Sequence, residues 1–157
     1  MKHPERPRSR PSALVLLAAG LISLACVVSA AAASGRQASL IPDPFRVEKD
    51  LLAILNRERA AHGLPTVRLA SSLVGLARKH SAEMARTNVL GHDSAGGKSY
   101  TDRLVDAGIL FAANGENVAQ SWSPSADSIH QSFMNSPGHR SNVLNRDFDE
   151  VGIGIVR

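Results

Sequence analysis

Cysteine is nearly absent from this chain. Its one cysteine, Cys26, lies close to the N-terminus, so a domain formed by later residues has no disulfide partner. Internal repeats and low-complexity tracts are also absent after Ser34, so nothing indicates a repeat architecture. The roughly 110–120 residues beyond that point can still bury enough apolar surface to fold as one domain without cross-links.

A long, uninterrupted apolar run occurs only at the N-terminus. It spans Ser12 to Val28, follows a segment with four basic residues and precedes the small residues 29–34. This order is typical of a secretory signal peptide, which we assign to residues 1–33. Two alternatives remain open. One is an uncleaved membrane anchor, because Ala13–Ala33 is long enough to span a bilayer, and the other is a lipid attached to Cys26. We therefore expect a secreted protein or, under these alternatives, a membrane-anchored one.

The charge of the chain is balanced once this segment is set aside. The whole chain has 18 basic and 14 acidic residues, of which Lys2, Glu5, Arg6, Arg8 and Arg10 precede residue 34. The remaining 14 basic and 13 acidic residues give a net charge near +1. No basic patch is left that would indicate nucleic acid as a partner.

Hydrophobic periodicity predicts four helices in a domain at residues 45–157, after a linker at residues 34–44. The predicted helices cover residues 46–62, 71–89 and 100–107, and a fourth begins at Ser123-Pro124. Ser99 and Asp102 form a capping-box pair at the start of the third helix. Strands are predicted around residues 117–120 and over 151–156, where valine and isoleucine alternate with glycine. Helices outnumber strands and come first, so this order predicts an α+β fold rather than a βαβ repeat.

Three short blocks contain the residue types that are best suited to form a site. Glycine, proline and asparagine in these blocks predict loops that present side chains. The candidate site residues are His92, Glu116 and His139. The blocks are Gly91-His92-Asp93-Ser94, Gly115-Glu116-Asn117 and Ser136-Pro137-Gly138-His139-Arg140-Ser141-Asn142.

Other polar residues are expected to be structural. His80 and His130 lie on the apolar faces of predicted helices, where a hydrogen-bonded core histidine is the better interpretation. Arg140 can bridge carboxylates, and Asn142 can bond the backbone of a turn. The sequence does not decide whether Trp122 packs in the core or forms part of a rim.

The three blocks also carry a family resemblance. Over about residues 45–157 the chain resembles the bacterial branch of the CAP superfamily, also called the SCP domain. The resemblance implies an α-β-α sandwich, in which a small antiparallel sheet lies between helical layers. It also implies a cleft lined by two histidines and one or two glutamates, which match His92, His139 and Glu116. The matching positions outside the blocks include Leu55-Asn56, Arg59, His80, Arg103 and Val151-Gly152-Ile153-Gly154.

The chain departs from the pattern of the family in two ways. Ser136 stands where eukaryotic members have a second glutamate, so the fourth cleft residue is missing. Family members also continue from the Gly-x-Gly strand into a further strand, whereas this sequence stops at Arg157. We therefore expect a sheet that lacks its final strand, or a fragment, and an unpaired edge would be a liability.

Two imidazoles and one carboxylate could hold a divalent metal and leave one coordination position open. Zinc would suit such ligands, and copper or nickel would compete for them. Gaps of 24 and 23 residues separate His92, Glu116 and His139, so the site depends wholly on tertiary assembly. Affinity is expected to be modest and pH-dependent, because both histidines must be neutral to bind a metal.

The resemblance favours a secreted, non-catalytic binding module. Its partner would be a small apolar molecule, a lipid or a component of the cell envelope. The alternative is a hydrolase of peptides or esters, with Ser136 or Ser94 as nucleophile and His139 as base, or with Glu116 acting through a metal-bound water. Neither serine lies in a G-x-S-x-G motif. A third possibility is a structural component of the envelope or matrix.

Overall fold

The structure is a computed structural model that describes residues 13–19, 43–121 and 125–156. Cys26, the predicted cleavage region, nearly all of the predicted linker and Trp122 lie outside the described residues. The described residues form five helices and four strands. These are β1 (Ala13–Ala19), α1 (Pro44–Ala61), β2 (Arg68–Leu69), α2 (Ser71–Thr87), α3 (Tyr100–Asp106), β3 (Asn114–Gln120), α4 (Ala126–Asn135), α5 (Pro137–Val143) and β4 (Glu150–Val156).

The predicted helices are confirmed, with small differences at their ends. The predicted start of the fourth at Ser123-Pro124 lies outside the described residues, and α4 begins at Ala126 with Ser125 as its cap. Asp43 caps α1 by accepting a hydrogen bond from the amide of Phe45, and a proline fills the first helical position. The predicted capping box of Ser99 and Asp102 is present at the start of α3. A second capping box, from Ser125 and Ser128, starts α4. Two short elements, α5 and β2, were not expected from the sequence.

The expectation of an antiparallel sheet is wrong, because all the strand pairs among the described residues are parallel. The strand order is β2-β4-β1-β3. Strand β1 pairs with β3 from Ala13↔Asn114 to Ala19↔Gln120, and with β4 from Ala13↔Glu150 to Ala19↔Val156. Each connection between paired strands contains at least one helix, which returns the chain to the same end of the sheet. The prediction that helices come before strands is also wrong at one point, because β1 precedes α1.

Helical layers cover both faces of the sheet. On one face, apolar residues of α1 and α4 pack with Val151, Ile153 and Ile155 of β4. On the other face, α2 packs directly against β4 and β1. Gly152 and Gly154 permit this contact, since a Cβ atom on either would lie 2.3 Å from a backbone atom of α2. The layered arrangement of helices and sheet is therefore confirmed.

A buried arginine joins the segments that flank the sheet. Arg59 is fully buried and donates hydrogen bonds to the carbonyl oxygens of Pro65, Val143, Asn145 and Phe148, over 2.8–3.0 Å. Burial lowers the pKa of this guanidinium from its usual range. The four carbonyls satisfy four of its five N–H groups, so the end of α1 and the segment from the end of α5 to β4 are held together.

Candidate functional site

Glu116 lies at the centre of the candidate site. It sits on β3, and its side chain is only 1% exposed. One carboxylate oxygen lies 3.0 Å from Nδ1 of His92, and the other accepts a hydrogen bond from Arg103 at 2.5 Å. The carboxylate therefore has a charged partner on one side and an imidazole on the other, which explains how it can be buried.

Arg103 holds the loop that presents His92. It lies on α3, with a side chain that is 13% exposed, and its second terminal nitrogen donates to the carbonyl oxygens of His92 and Lys98. One guanidinium thus ties the loop after α2 to the strand that carries Glu116. From the sequence, Arg103 was recognised only as a position that matches the family, and no role in the site was predicted for it. The only signal in the sequence was a basic residue within a short capped helix, and this signal does not reveal that Arg103 pairs with Glu116.

His139 lies beside the same strand. It belongs to α5, and its backbone oxygen accepts a hydrogen bond of 3.0 Å from the side chain of Asn117, the residue after Glu116. Its ring packs edge-on against Phe133, with 5.2 Å between ring centres. Burial, and to a lesser degree the charge of His92, lowers the pKa of His139. The structure therefore brings all three predicted site residues into one region, and the lowered pKa favours the neutral form of His139.

Asn142 holds β3 through side-chain hydrogen bonds, as expected for a structural residue. Its side-chain amide donates to the backbone oxygen of Glu116 and to the side-chain oxygen of Asn117. A Cβ atom on Gly115 would lie 3.0 Å from the side chain of Asn142, so this contact needs glycine or a shift of the asparagine. Arg140, by contrast, is exposed and forms no ion pair within the part of the chain that the structure describes.

The two core histidines differ in how well they fit the expectation. His80 is 1% exposed, and its Nε2 lies 2.9 Å from the carbonyl oxygen of Gly91, so it is a hydrogen-bonded core residue. His130 has Nε2 at 3.3 Å from a carboxylate oxygen of Glu58. Its Nδ1, however, is buried with no hydrogen-bond partner among the described residues. The prediction of a hydrogen-bonded histidine is confirmed for His80 and met by one ring nitrogen of His130.

In the described residues, neither of the two serines proposed as nucleophiles is hydrogen-bonded to a histidine base. Ser136 starts α5 without a side-chain capping bond, and no hydrogen bond joins it to an imidazole in the described residues. The hydroxyl of Ser94 lies 3.4 Å from Arg103 and hydrogen-bonds to the carboxylate of Glu83, so its partners are these two side chains and not an imidazole. Nucleophilic catalysis needs a base within hydrogen-bonding reach of the nucleophile. This geometry gives the serine-hydrolase alternative no support.

The arrangement also does not fit a metal-binding set. Both oxygens of Glu116 are engaged, one with His92 and the other with the cation of Arg103. Across residues 43–121 and 125–156, no group of three or more His, Cys, Asp or Glu side chains is placed to hold a metal ion. A metal at His92, Glu116 and His139 thus stays a prediction without geometric support, and we derive no chemistry from it.

Two helical layers around a small sheet, with a histidine–glutamate–arginine cluster at one strand, define an SCP-type domain. The chain belongs to the cysteine-rich secretory protein (CAP) family, whose model matches residues 52–157. It is 33% identical over 109 residues to the uncharacterized protein YkwD of Bacillus subtilis, covering 69% of this chain and 42% of that protein. It is 32% identical over 110 residues to the uncharacterized membrane protein YlbC of the same organism, covering 70% and 32%. The chain thus spans less than half the length of these relatives.

Solved structures show the same fold. An extracellular protein of Bacillus anthracis with an SCP domain superposes with a TM-score of 0.68 at 30% identity, over 72% of this chain and 38% of that one. An outer surface protein of Borrelia burgdorferi superposes with a TM-score of 0.57 at 16% identity, over 71% and 81%, and supports the fold alone. Among the described residues, no helix is both long and apolar enough to cross a membrane.

Proposed function

We propose that this chain is an exported binding module whose cleft, beside His92, Glu116 and His139, takes a small apolar or lipid ligand or a component of the cell envelope. The observation that carries the proposal is the state of Glu116. This carboxylate is buried and bonded to Arg103 and His92, so it is committed to holding the cluster together. A general base needs a free lone pair that faces the substrate.

Apolar surface next to His92 supports an apolar partner. Val89 and Leu90, which precede it in the same loop, are 63% and 49% exposed. The ring of Tyr100 approaches the His92 ring edge-on, with 6.2 Å between their centres. Exposed large aliphatic residues that adjoin a polar cluster are typical of a binding surface.

Export of the module is supported by the leader-like N-terminus and by the extracellular SCP-domain protein that it resembles. Mass spectrometry of the material in the culture medium tests this part of the proposal. A protein that remains entirely inside the cell would contradict it.

A fluorescent fatty acid and a fluorescent phospholipid would test the binding function. We expect Val89→Ser and Leu90→Ser, combined in one variant, to weaken binding of at least one probe about tenfold, or about 1.4 kcal/mol. The matched control is Leu110→Ser. Leu110 is also an exposed leucine, with 64% of its surface accessible, but it follows α3 in the chain and does not belong to the loop that carries His92. Equal binding by the wild type and the double variant would refute the proposal that Val89 and Leu90 contact the ligand.

Two further measurements separate the alternatives at the same cleft. Turnover of peptide or ester substrates that His139→Ala abolishes would contradict a non-catalytic module. For the predicted metal, Zn²⁺ is titrated into the wild type and into the His92→Ala/His139→Ala variant. Equal affinity in the two proteins would remove these histidines as ligands.

A further inference from the structure

A groove that is separate from the candidate site lies between α2 and α3. It has a volume of about 650 Å³ and is lined by residues of the two helices and of the loop at residues 94–98. His92, Glu116 and His139 are not among the lining residues, and neither β1 nor β4 contributes to the lining. A cavity of this size is large enough for a small organic molecule. The groove is therefore a second candidate for ligand binding.

The walls of the groove carry more basic than acidic side chains. The charged lining residues are Lys79, Arg86, Lys98, Arg103, Glu83 and Asp106. Lys98 is paired with Asp106, and Arg103 is paired with the buried carboxylate of the candidate site. Two basic residues, Lys79 and Arg86, remain after these pairs are counted.

Lys79 and Arg86 have no charged partner in the protein. Both are exposed on α2, and within the described part of the chain neither side chain forms an ion pair or a hydrogen bond. They lie about two helical turns apart, which is roughly 10.5 Å along the helix axis. The helix dipole favours a cation at Arg86, in the last turn, but this reason does not apply to Lys79 in the middle of the helix. Two cations without partners beside one groove attract an anion.

Glu83 lies between these two cations on α2, but its carboxylate is bonded to other groups. One oxygen accepts a hydrogen bond of 3.0 Å from the amide of Ala95, and the other lies 3.5 Å from Nδ1 of His80. The hydroxyl of Ser94 is a further partner. These hydrogen bonds, above all the one from the Ala95 amide, hold the pKa of Glu83 below its usual range. The carboxylate therefore fixes the loop wall of the groove and leaves its two basic neighbours unpaired.

The groove also has an apolar part. Leu76 of α2 is half-buried and packs against the core, and Ala82 and Ala107 add exposed apolar surface. Apolar walls with a few charged groups are typical of sites for organic molecules, in which the charged groups fix the orientation of the ligand. The lining therefore suits a ligand with an anionic group and a short apolar body.

We propose that the groove between α2 and α3 binds a phosphate group that is attached to a short organic body. The guanidinium of Arg86 can donate two parallel hydrogen bonds to phosphate oxygens, and the ammonium of Lys79 adds a point charge. A phosphate monoester carries up to two negative charges, so it matches two cations better than a carboxylate does. The phosphate belongs to a free organic molecule or to the headgroup of a lipid.

The first test is an NMR titration of the full chain with hexyl phosphate. We expect a dissociation constant of about 1 mM or lower, and at least about tenfold weaker binding by Lys79→Gln/Arg86→Gln. The matched control is Lys49→Gln/Arg57→Gln, which removes the same two residue types from exposed positions of α1 and should bind like the wild type. Equal binding by the wild type and the α2 variant would overturn the proposal.

Three related probes show which part of the ligand is recognised. Hexanol lacks the charge, inorganic phosphate lacks the organic body, and hexanoate has a carboxylate instead of a phosphate. We expect each of them to bind at least about fivefold more weakly than hexyl phosphate. Equal binding of hexanol would show that the two cations contribute nothing, and tighter binding of hexanoate would contradict the assignment to phosphate.

Vesicles distinguish the two sources of the phosphate. The wild type and Lys79→Gln/Arg86→Gln are sedimented with vesicles of phosphatidylglycerol or of phosphatidylcholine. Both proteins have the same N-terminus, so this segment cannot cause a difference between them. Loss of binding to phosphatidylglycerol in the variant would assign the site to a lipid headgroup. Equal sedimentation of the two proteins, with hexyl phosphate binding lost in the variant, would assign it to a free organic phosphate.

A variant of the cleft shows whether the two sites are separate. Val89→Ser/Leu90→Ser should bind hexyl phosphate like the wild type, because neither residue lines the groove. Weaker binding by this variant would show that the groove belongs to the cleft and would contradict a second site. The proposed function of the cleft rests on other residues, so it stands if the groove binds no phosphate.

Discussion

The ion pair between Arg103 and Glu116 allows a quantitative prediction. Arg103→Met keeps an aliphatic side chain of similar length but removes the charge that faces a carboxylate with 1% exposure. Removal of one partner of a buried ion pair leaves the other charge without compensation, which costs about 3–5 kcal/mol. The substitution also removes the hydrogen bonds to the backbone oxygens of His92 and Lys98. We expect a loss near the upper end of that range.

A second substitution separates the charge from these backbone contacts. Glu116→Gln keeps the shape of the side chain but removes its charge, so an uncharged amide remains in the Arg103→Met/Glu116→Gln protein. We expect the double variant to be more stable than the sum of the single losses by about 1–3 kcal/mol, since coupled partners are not additive. Urea denaturation of the full chain at pH 7.5, followed by circular dichroism, measures all four proteins, and a constant slope shows that the midpoints are comparable. Additive losses, or a loss below about 1 kcal/mol for Arg103→Met, would refute the reasoning.

Three further predictions concern residues outside this pair. Gly152→Ala places a methyl group 2.3 Å from the backbone of Leu73, so we expect a loss of at least about 1–3 kcal/mol in urea denaturation. Gly75→Ala, on the open side of α2, should instead stabilise by roughly 0.5–1 kcal/mol, and equal effects of the two would contradict the close contact. Arg59→Met leaves buried carbonyl oxygens without donors and should lower the free energy of unfolding by at least about 1–3 kcal/mol. Arg59→Lys should not restore it, because an ammonium lacks the fork of a guanidinium. Since the pKa of His139 is lowered on folding, the unfolded chain takes up a proton near pH 6.5 that the folded chain resists. Stability should therefore fall as the pH drops below about 6.5, and unfolding curves of His139→Gln should lack this part of the pH dependence.

The helices that were predicted well are those with a regular apolar face. In α1, Val47, Leu51 and Leu55 follow helical spacing and are all buried. Helix α5 was missed because its Ser-Pro-Gly start also satisfies a turn, although proline is common at the first position of a helix. Local sequence cannot decide between these two outcomes, which depend on packing against β3.

The parallel sheet could not be predicted for a different reason. A buried parallel strand and the core of a leader share one sequence pattern, so residues 13–19 fit the assignment to a signal peptide completely. That assignment stays a prediction, and the structure adds a second location for the same residues. Within the candidate site, His92, Glu116 and His139 were found from turn chemistry and family resemblance. The role of Arg103 was not, because its partner lies on another element and only tertiary contacts reveal the pair.

The contact between α2 and β4 limits how the domain can move. Gly152 and Gly154 bring the strand backbone against the helix backbone, with no side chains between them that could rearrange. Sliding of the helix over the sheet would force main-chain atoms into each other, so these two elements must travel together as one rigid block. Any opening around His92 then has to come from the stretch between Asn88, with its left-handed backbone, and Ser99. Movement of that stretch, rather than of the two helical layers and the sheet, would set how fast the ligand that we propose enters and leaves.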